Sequence, residues 1–249
     1  MTPAEIRRLF AAFLANPTPE IDLAEAALVI AQTAYPDLDR EIHMMRIGDM
    51  AAEVRQRVGD ERDPYTIANI ISEYLFDVIG LQGNAADYYD PRNSFINDVL
   101  DRKVGIPITL SVVYIEVARR LGLSGFSVDG AGMPGHFLVR LRSTAADDGE
   151  EGSVLIDPFH RGVILESADV AQIAAAVGVG ATTGLPSEIA PRVSNREILA
   201  RMLNNLKAIY LDRQDLPRCL EIVELALRIE PQHAADLRLA SELRRLLAQ

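Results

Sequence analysis

Thiol chemistry has almost no material in this chain: its 249 residues hold one cysteine, Cys219. A single thiol excludes an internal disulfide framework and any thiolate-rich zinc site. No apolar run approaches the roughly 20 residues needed to cross a bilayer. The opening "MTPAEIRRLFAAFLANP" is amphipathic rather than the apolar centre of a secretory leader. No Lys/Arg block appears either, and 36 acidic against 25 basic residues give a net charge of −11. Such a surface repels phosphate backbones and anionic membranes, so no nucleic-acid or membrane partner is expected. The glycine string "DGAGMPGH" lacks the G-x-x-x-x-G-K pattern and leads to a strand rather than a helix, so it is no phosphate loop. Its expected role is to bend the chain ahead of His136. The chain reads as a cytoplasmic globular protein, with no cofactor and no resident metal expected.

What is present falls into three stretches. The first hundred residues carry helical periodicity. "IDLAEAALVIAQTAYP" has a broad apolar face and is expected to end at Pro36; "LDREIHMMRIGDMAAEVRQRV" stops at Gly59. "DPYTIANIISEYLFDVIG" has Asp63 as N-cap, Pro64 at the first helical position and Gly80 as its stop. The loop "LQGNAADYYDPRN" is expected to pack against the short helix "SFINDVLDRK" that follows. "GIPITLSVVYIEVARRLGL" then predicts a helix over Ile106–Leu121, its Arg119 and Arg120 forming a solvated C-terminal end.

From Phe126 the period changes to that of strands: "FSVDGAG", "HFLVRLRS", "SVLIDPF" and "GVILE", with an acidic turn at "TAADDGEEG". Alternation puts His136, Leu138, Arg140 and Arg142 on one side and Phe137, Val139 and Leu141 on the other. The expected result is a small antiparallel sheet packed on the Ile106–Leu121 helix. A Gly/Pro-bearing linker follows, and Ser194 with Glu197 makes a capping box that starts a helical tail. In that tail Leu206, Ile209, Tyr210, Leu216, Leu220, Ala226, Leu227 and Pro231 fall close to the spacing of a tetratricopeptide repeat. One repeat cannot stand alone, so the tail is expected to dock on what precedes it. The organisation expected is α+β: a helical region over 1–90, a core over 91–178, a linker over 179–193 and a tetratricopeptide-like tail over 194–249.

"VGIPITLSVVYIEVARRLGL" has the form of a helix that would carry a thiol at its mouth, where free N–H groups and the helix dipole lower a thiol pKa. Together with "DLAEAALVIAQTAYPDLD", "YYDPRNSFINDVLDRK", "GMPGHFLVRL" and "IDPFHRG" it resembles the SirB1 branch of the transglutaminase-like superfamily. In that superfamily a Gly-x-Cys turn opens a helix that ends near an Arg-x-x-Gly turn. Gly105 and Gly122, 17 residues apart, fit the two ends. The resemblance implies a papain/transglutaminase-like core in which Pro107 occupies the nucleophile position, His136 is the family histidine and Asp157 the family aspartate.

Proline fits that position, because its missing N–H costs nothing in the first turn. No other side chain replaces the thiol. Thr109 lies about 200° round the helix, Ser111 returns to the same face but ~6 Å further along the axis, and Ser94 lies on another helix. Cys219 sits on an apolar face of the tail, and His43 and His233 read as ordinary helix residues. The expectation is therefore a catalytically silent domain that recognises a protein or peptide partner, with His136 and Asp157 as a remnant dyad. The alternative is an unusual hydrolase or acyl-transfer enzyme using His136 and Asp157 with water, Ser111 or a metal, the last held by His136, Asp157 and His160.

Overall fold

The computed structural model describes residues 1–15, 22–133, 136–144, 152–176 and 190–249. The acidic turn, Pro134 and Gly135, and the linker up to residue 189 lie outside the described residues.

The N-terminal helices are α1 (Pro3–Ala15), α2 (Leu23–Ala31), α3 (Arg40–Val58) and α4 (Pro64–Ser72). Asp22, Asp39 and Asp63 cap the last three, each accepting from a backbone N–H of the first turn. All of α2 except Glu25 is buried, which accounts for a sequence that is apolar nearly all round. This helix stops at Ala31, short of Pro36. Beyond it the Thr33 hydroxyl donates to the Ile30 carbonyl, and the Tyr35 phenol reaches Asp98 at 2.6 Å. After α4 the chain continues as a π-helical turn, Glu73–Val78, instead of regular α-helix. Its wider winding lets the consecutive residues Tyr74, Leu75 and Phe76 all be buried.

Two short parallel strands, β1 (Gln82–Gly83) and β2 (Val104–Gly105), then tie the loop before α5 (Ile96–Arg102) to the start of α6 (Pro107–Arg120). The Thr109 hydroxyl locks that start. It accepts from the Ile106 N–H at 3.2 Å and donates to the Asn93 carbonyl at 2.6 Å. Every residue of α6 from Pro107 to Ala118 is buried, so this helix is the centre of the molecule. Its C-terminal end is not a solvated terminus as expected. Arg120 pairs with buried Glu116 and with Asp22, while Arg119 donates to the Val128 carbonyl and to Asn195. Burial of Glu116 on the core helix draws both guanidinium groups inward, since a buried carboxylate needs a partner.

The sheet is antiparallel, as expected: strands β3 (Phe126–Met133), β4 (His136–Ser143), β5 (Ser153–Asp157), β6 (Val163–Leu165) and β7 (Arg192–Val193), in the order β6-β5-β4-β3-β7. Phe137, Val139 and Leu141 join the main core, which α6 runs through. On the other face Leu138 joins Ala131, Met133, Leu155 and Val170, the last from α7 (Ser167–Ala176). The glycines of β3 do not bend the chain. They stay in register, Gly130 opposite Val139 and Gly132 opposite Phe137. They leave room instead: a Cβ on Gly130 would come within 2.7 Å of the Phe137 ring.

The tail is three helices, α8 (Asn195–Asp212), α9 (Leu216–Ile229) and α10 (Ala234–Leu247). The capping box at Ser194 and Glu197 forms in both directions. Helix α8 packs on α2 and α6, and α9 packs on α1, so tail residues Leu199, Leu206, Ile222 and Leu243 belong to the main core. No helix among the described residues is long and apolar enough to cross a membrane.

Candidate functional site

Asp157 ends β5 and caps the 3₁₀ turn Pro158–His160 that follows. Its Oδ1 accepts from the backbone N–H groups of Phe159 and His160, at 3.0 and 3.2 Å. Its Oδ2 is 2.7 Å from His136 Nε2 and 2.7 Å from His160 Nδ1. The two oxygens are thus fully engaged in a residue that is 1 % exposed. Burial alone would raise its pKa, but the hydrogen bonds and charges of His136 and His160 outweigh that and hold the carboxyl below its ordinary range. Position 160 joins because residues three apart eclipse one another in a 3₁₀ turn, a convergence that spacing in the chain alone left open.

His136 opens β4, and its side chain is nearly covered, whereas that of His160 is largely exposed. With neutral rings, each histidine donates its N–H to the Asp157 carboxylate. For His136 this places the proton on Nε2 and leaves Nδ1 as the basic lone pair. The dyad expected from sequence is therefore assembled at hydrogen-bond distance.

Pro107, at the first position of α6, lines a cavity of about 190 Å³ together with His136, Tyr88 and Ile108. Met133 and Phe137 from the sheet, and Arg201, Asn204 and Asn205 from α8, complete the lining. No serine, threonine or cysteine lines it among the described residues. The substitutes weighed from sequence are all closed off. Ser111 is fully buried, with its hydroxyl on the Phe137 carbonyl at 3.5 Å. Thr109 is locked at the helix start, and buried Ser94 is not part of the cavity lining. Cys219 is buried on α9, and burial pushes its thiol pKa up, away from reactivity. His43 sits on α3 beside the Asp39 carbonyl, and His233 precedes α10 beside Asp236, so neither joins the site.

His136, Asp157 and His160 each present one ligand atom within 4.8 Å of the others, and two imidazoles with a carboxylate form a donor set suited to zinc. The "DYYDPRN" loop does pack, through buried Asp90 and Asn93, but it also brings Tyr88 to the cavity. Sequence reasoning missed the α8 wall. The available signal was the polar i, i+3, i+4 stripe Arg201, Asn204, Asn205 on an amphipathic helix.

Comparison with known proteins agrees with this architecture. A family model described as "Transglutaminase-like superfamily" matches residues 43–204, a span that includes Pro107, His136, Asp157 and Arg201. A protein of Xylella fastidiosa (strain Temecula1) named UPF0162 protein is 35% identical over 221 residues, covering 88% of this chain and 75% of that protein. A UPF0162 protein of Vibrio cholerae is 25% identical over 219 residues, 88% of this chain and 77% of its own length. Mouse F-box only protein 21 is 31% identical over 150 residues, which is 57% of this chain but 22% of that protein. No solved structure matches.

Proposed function

The chain belongs to the transglutaminase-like superfamily, and on that premise we propose that it recognises a protein or peptide segment instead of transferring its acyl group. One observation carries this reading: the cavity onto which His136 opens has Pro107 at the helix mouth and no serine, threonine or cysteine among its described lining. A thiol enzyme of this kind needs an attacking sulfur within reach of the base. Proline retains the helix start and supplies no such atom, so the cleft keeps its shape and polarity for binding.

We take the motif phrases as those of the SirB1 branch, and the spacing of α8 and α9 as one tetratricopeptide-like unit. We take 1–90 and 194–249 as helical flanks of a transglutaminase-like core over 91–178, in a cytoplasmic protein. The test of the recognition reading is an amide- and ester-hydrolysis screen of the wild type and His136→Ala after treatment with a chelator. Identical background rates support recognition; turnover that depends on His136 overturns it.

A second reading is favoured by the convergence of His136, Asp157 and His160: hydrolysis by a metal-bound water. Calorimetric titration of the metal-free chain with Zn²⁺ separates the two. One-to-one binding that His160→Ala abolishes, followed by zinc-dependent turnover in the same screen, favours the hydrolase.

A further inference from the structure

The wall of the cleft supplied by α8 runs against the charge of the rest of the chain. Arg201, Asn204 and Asn205 are spaced three and four residues apart, so they share one helix face, and all three line the cavity with His136 and Pro107. No acidic side chain lines this cavity among the described residues, although the chain carries 36 of them. The exposed Arg201 guanidinium is held over a ring face rather than by an ion pair. Its Cζ lies 5.6 Å from the centroid of the Phe137 ring. It also rests on the Gly132 backbone, where a Cβ would come within 2.8 Å of Nη2. Glu197, one turn back on α8, feels its charge, but that carboxylate is committed to the Ser194 hydroxyl and N–H. Among the described residues Arg201 makes no hydrogen bond or ion pair of its own. A cation positioned on a ring face beside an acid-free cavity has N–H groups to offer a carboxylate.

We propose that this wall recognises an acidic side chain, aspartate or glutamate, inside a peptide segment of a partner protein. Arg201 takes the carboxylate through paired N–H···O bonds, the geometry its planar fork allows. Asn204 and Asn205 each offer donors and an acceptor. That suits the mixed N–H and C=O groups flanking an interior residue, whereas a free C-terminal carboxylate would call for donors. The inference rests on the recognition reading and adds the chemistry of what is recognised.

The experiment is fluorescence anisotropy of labelled decapeptide pools against the full chain. The pools are blocked at both ends and carry Glu, Gln or Lys at a fixed central position; a fourth has a central Gln and a free C-terminal carboxylate. The Glu pool is expected to bind about tenfold more tightly than the Gln pool, the loss of one charge-assisted contact. Arg201→Gln removes that preference, and Arg201→Lys restores part of it. A Glu preference that survives Arg201→Gln, or tighter binding of the free-carboxylate pool than of the Glu pool, overturns the proposal. Binding that ignores charge overturns this inference and leaves the recognition reading standing. Failure of every pool to bind overturns both.

Discussion

His160 places its Nδ1 2.7 Å from the same Asp157 oxygen that His136 approaches at 2.7 Å through Nε2. A single buried carboxylate therefore orients the histidine that faces the cleft, a second histidine at the surface, and the backbone turn between β5 and β6. Losing it would disconnect three things at once.

Asp157→Ala is accordingly expected to lower stability by about 1–3 kcal/mol, the range seen when buried hydrogen-bonding groups lose their partner. Urea unfolding followed by circular dichroism measures this. A loss below about 1 kcal/mol would contradict a structural role for the carboxylate.

Gly162 follows the same turn with φ +71°, and a Cβ there would come within 2.6 Å of the Ser72 Cβ and 2.7 Å of the Phe76 ring. Both strain and overlap act against a side chain, so Gly162→Ala should cost more than about 1 kcal/mol. An alanine variant with an unchanged melting temperature would show that this turn is not packed against the π-helical segment as described.

Asp90 anchors the loop that carries Tyr88 to the cleft. Burial pushes its pKa up, but hydrogen bonds from Arg92 and the charges of Arg92 and Arg102 prevail and hold it below the ordinary value. A carboxyl depressed in the folded state stabilises above its unfolded pKa of about 3.9, and that contribution disappears as the pH falls through the folded value. The stability advantage of wild type over Asp90→Asn should thus be flat between about pH 7 and 5 and shrink below about pH 4. An advantage that persists unchanged at the acid end would contradict the pairing.

Cys219 should resist iodoacetamide in the native protein and react once the chain is unfolded, because it is buried and its thiol pKa is raised. Intact-mass spectrometry reads this directly. Rapid native labelling would place the thiol on the surface.

Much of this was legible because the signals are local. Asp63 before Pro64 and Ser194 before Glu197 mark helix starts through bonds made within one turn, and both form. Alternation along "HFLVRLRS" separates Phe137, Val139 and Leu141 from Leu138, and the two sets enter different cores. The meeting of His136 with Asp157, 21 residues apart, came from the motif phrases rather than from periodicity. Features set by tertiary packing were not legible. The π-helical turn at 73–78 leaves no mark in hydrophobic spacing, and Ala31 ends its helix through contacts made by Thr33 and Tyr35. The inward turn of Arg119 and Arg120 depends on Glu116, a polar residue on a helix whose surroundings are known only once it is packed. Arg201 reaches the cleft from a helix 65 residues beyond His136 in the chain, and its polar stripe marks a helix face without saying what that face meets.

The most direct test restores the missing atom. Pro107→Cys puts a thiol at the first position of a 14-residue helix, beside His136 in the same cavity. The rate of iodoacetamide alkylation at that position is measured against pH, with and without His136→Ala. A frame that lost only its nucleophile predicts a thiol titrating well below the ordinary ~8.5, and a return toward that value when the histidine is removed. An ordinary thiol pKa indifferent to His136 would contradict the account.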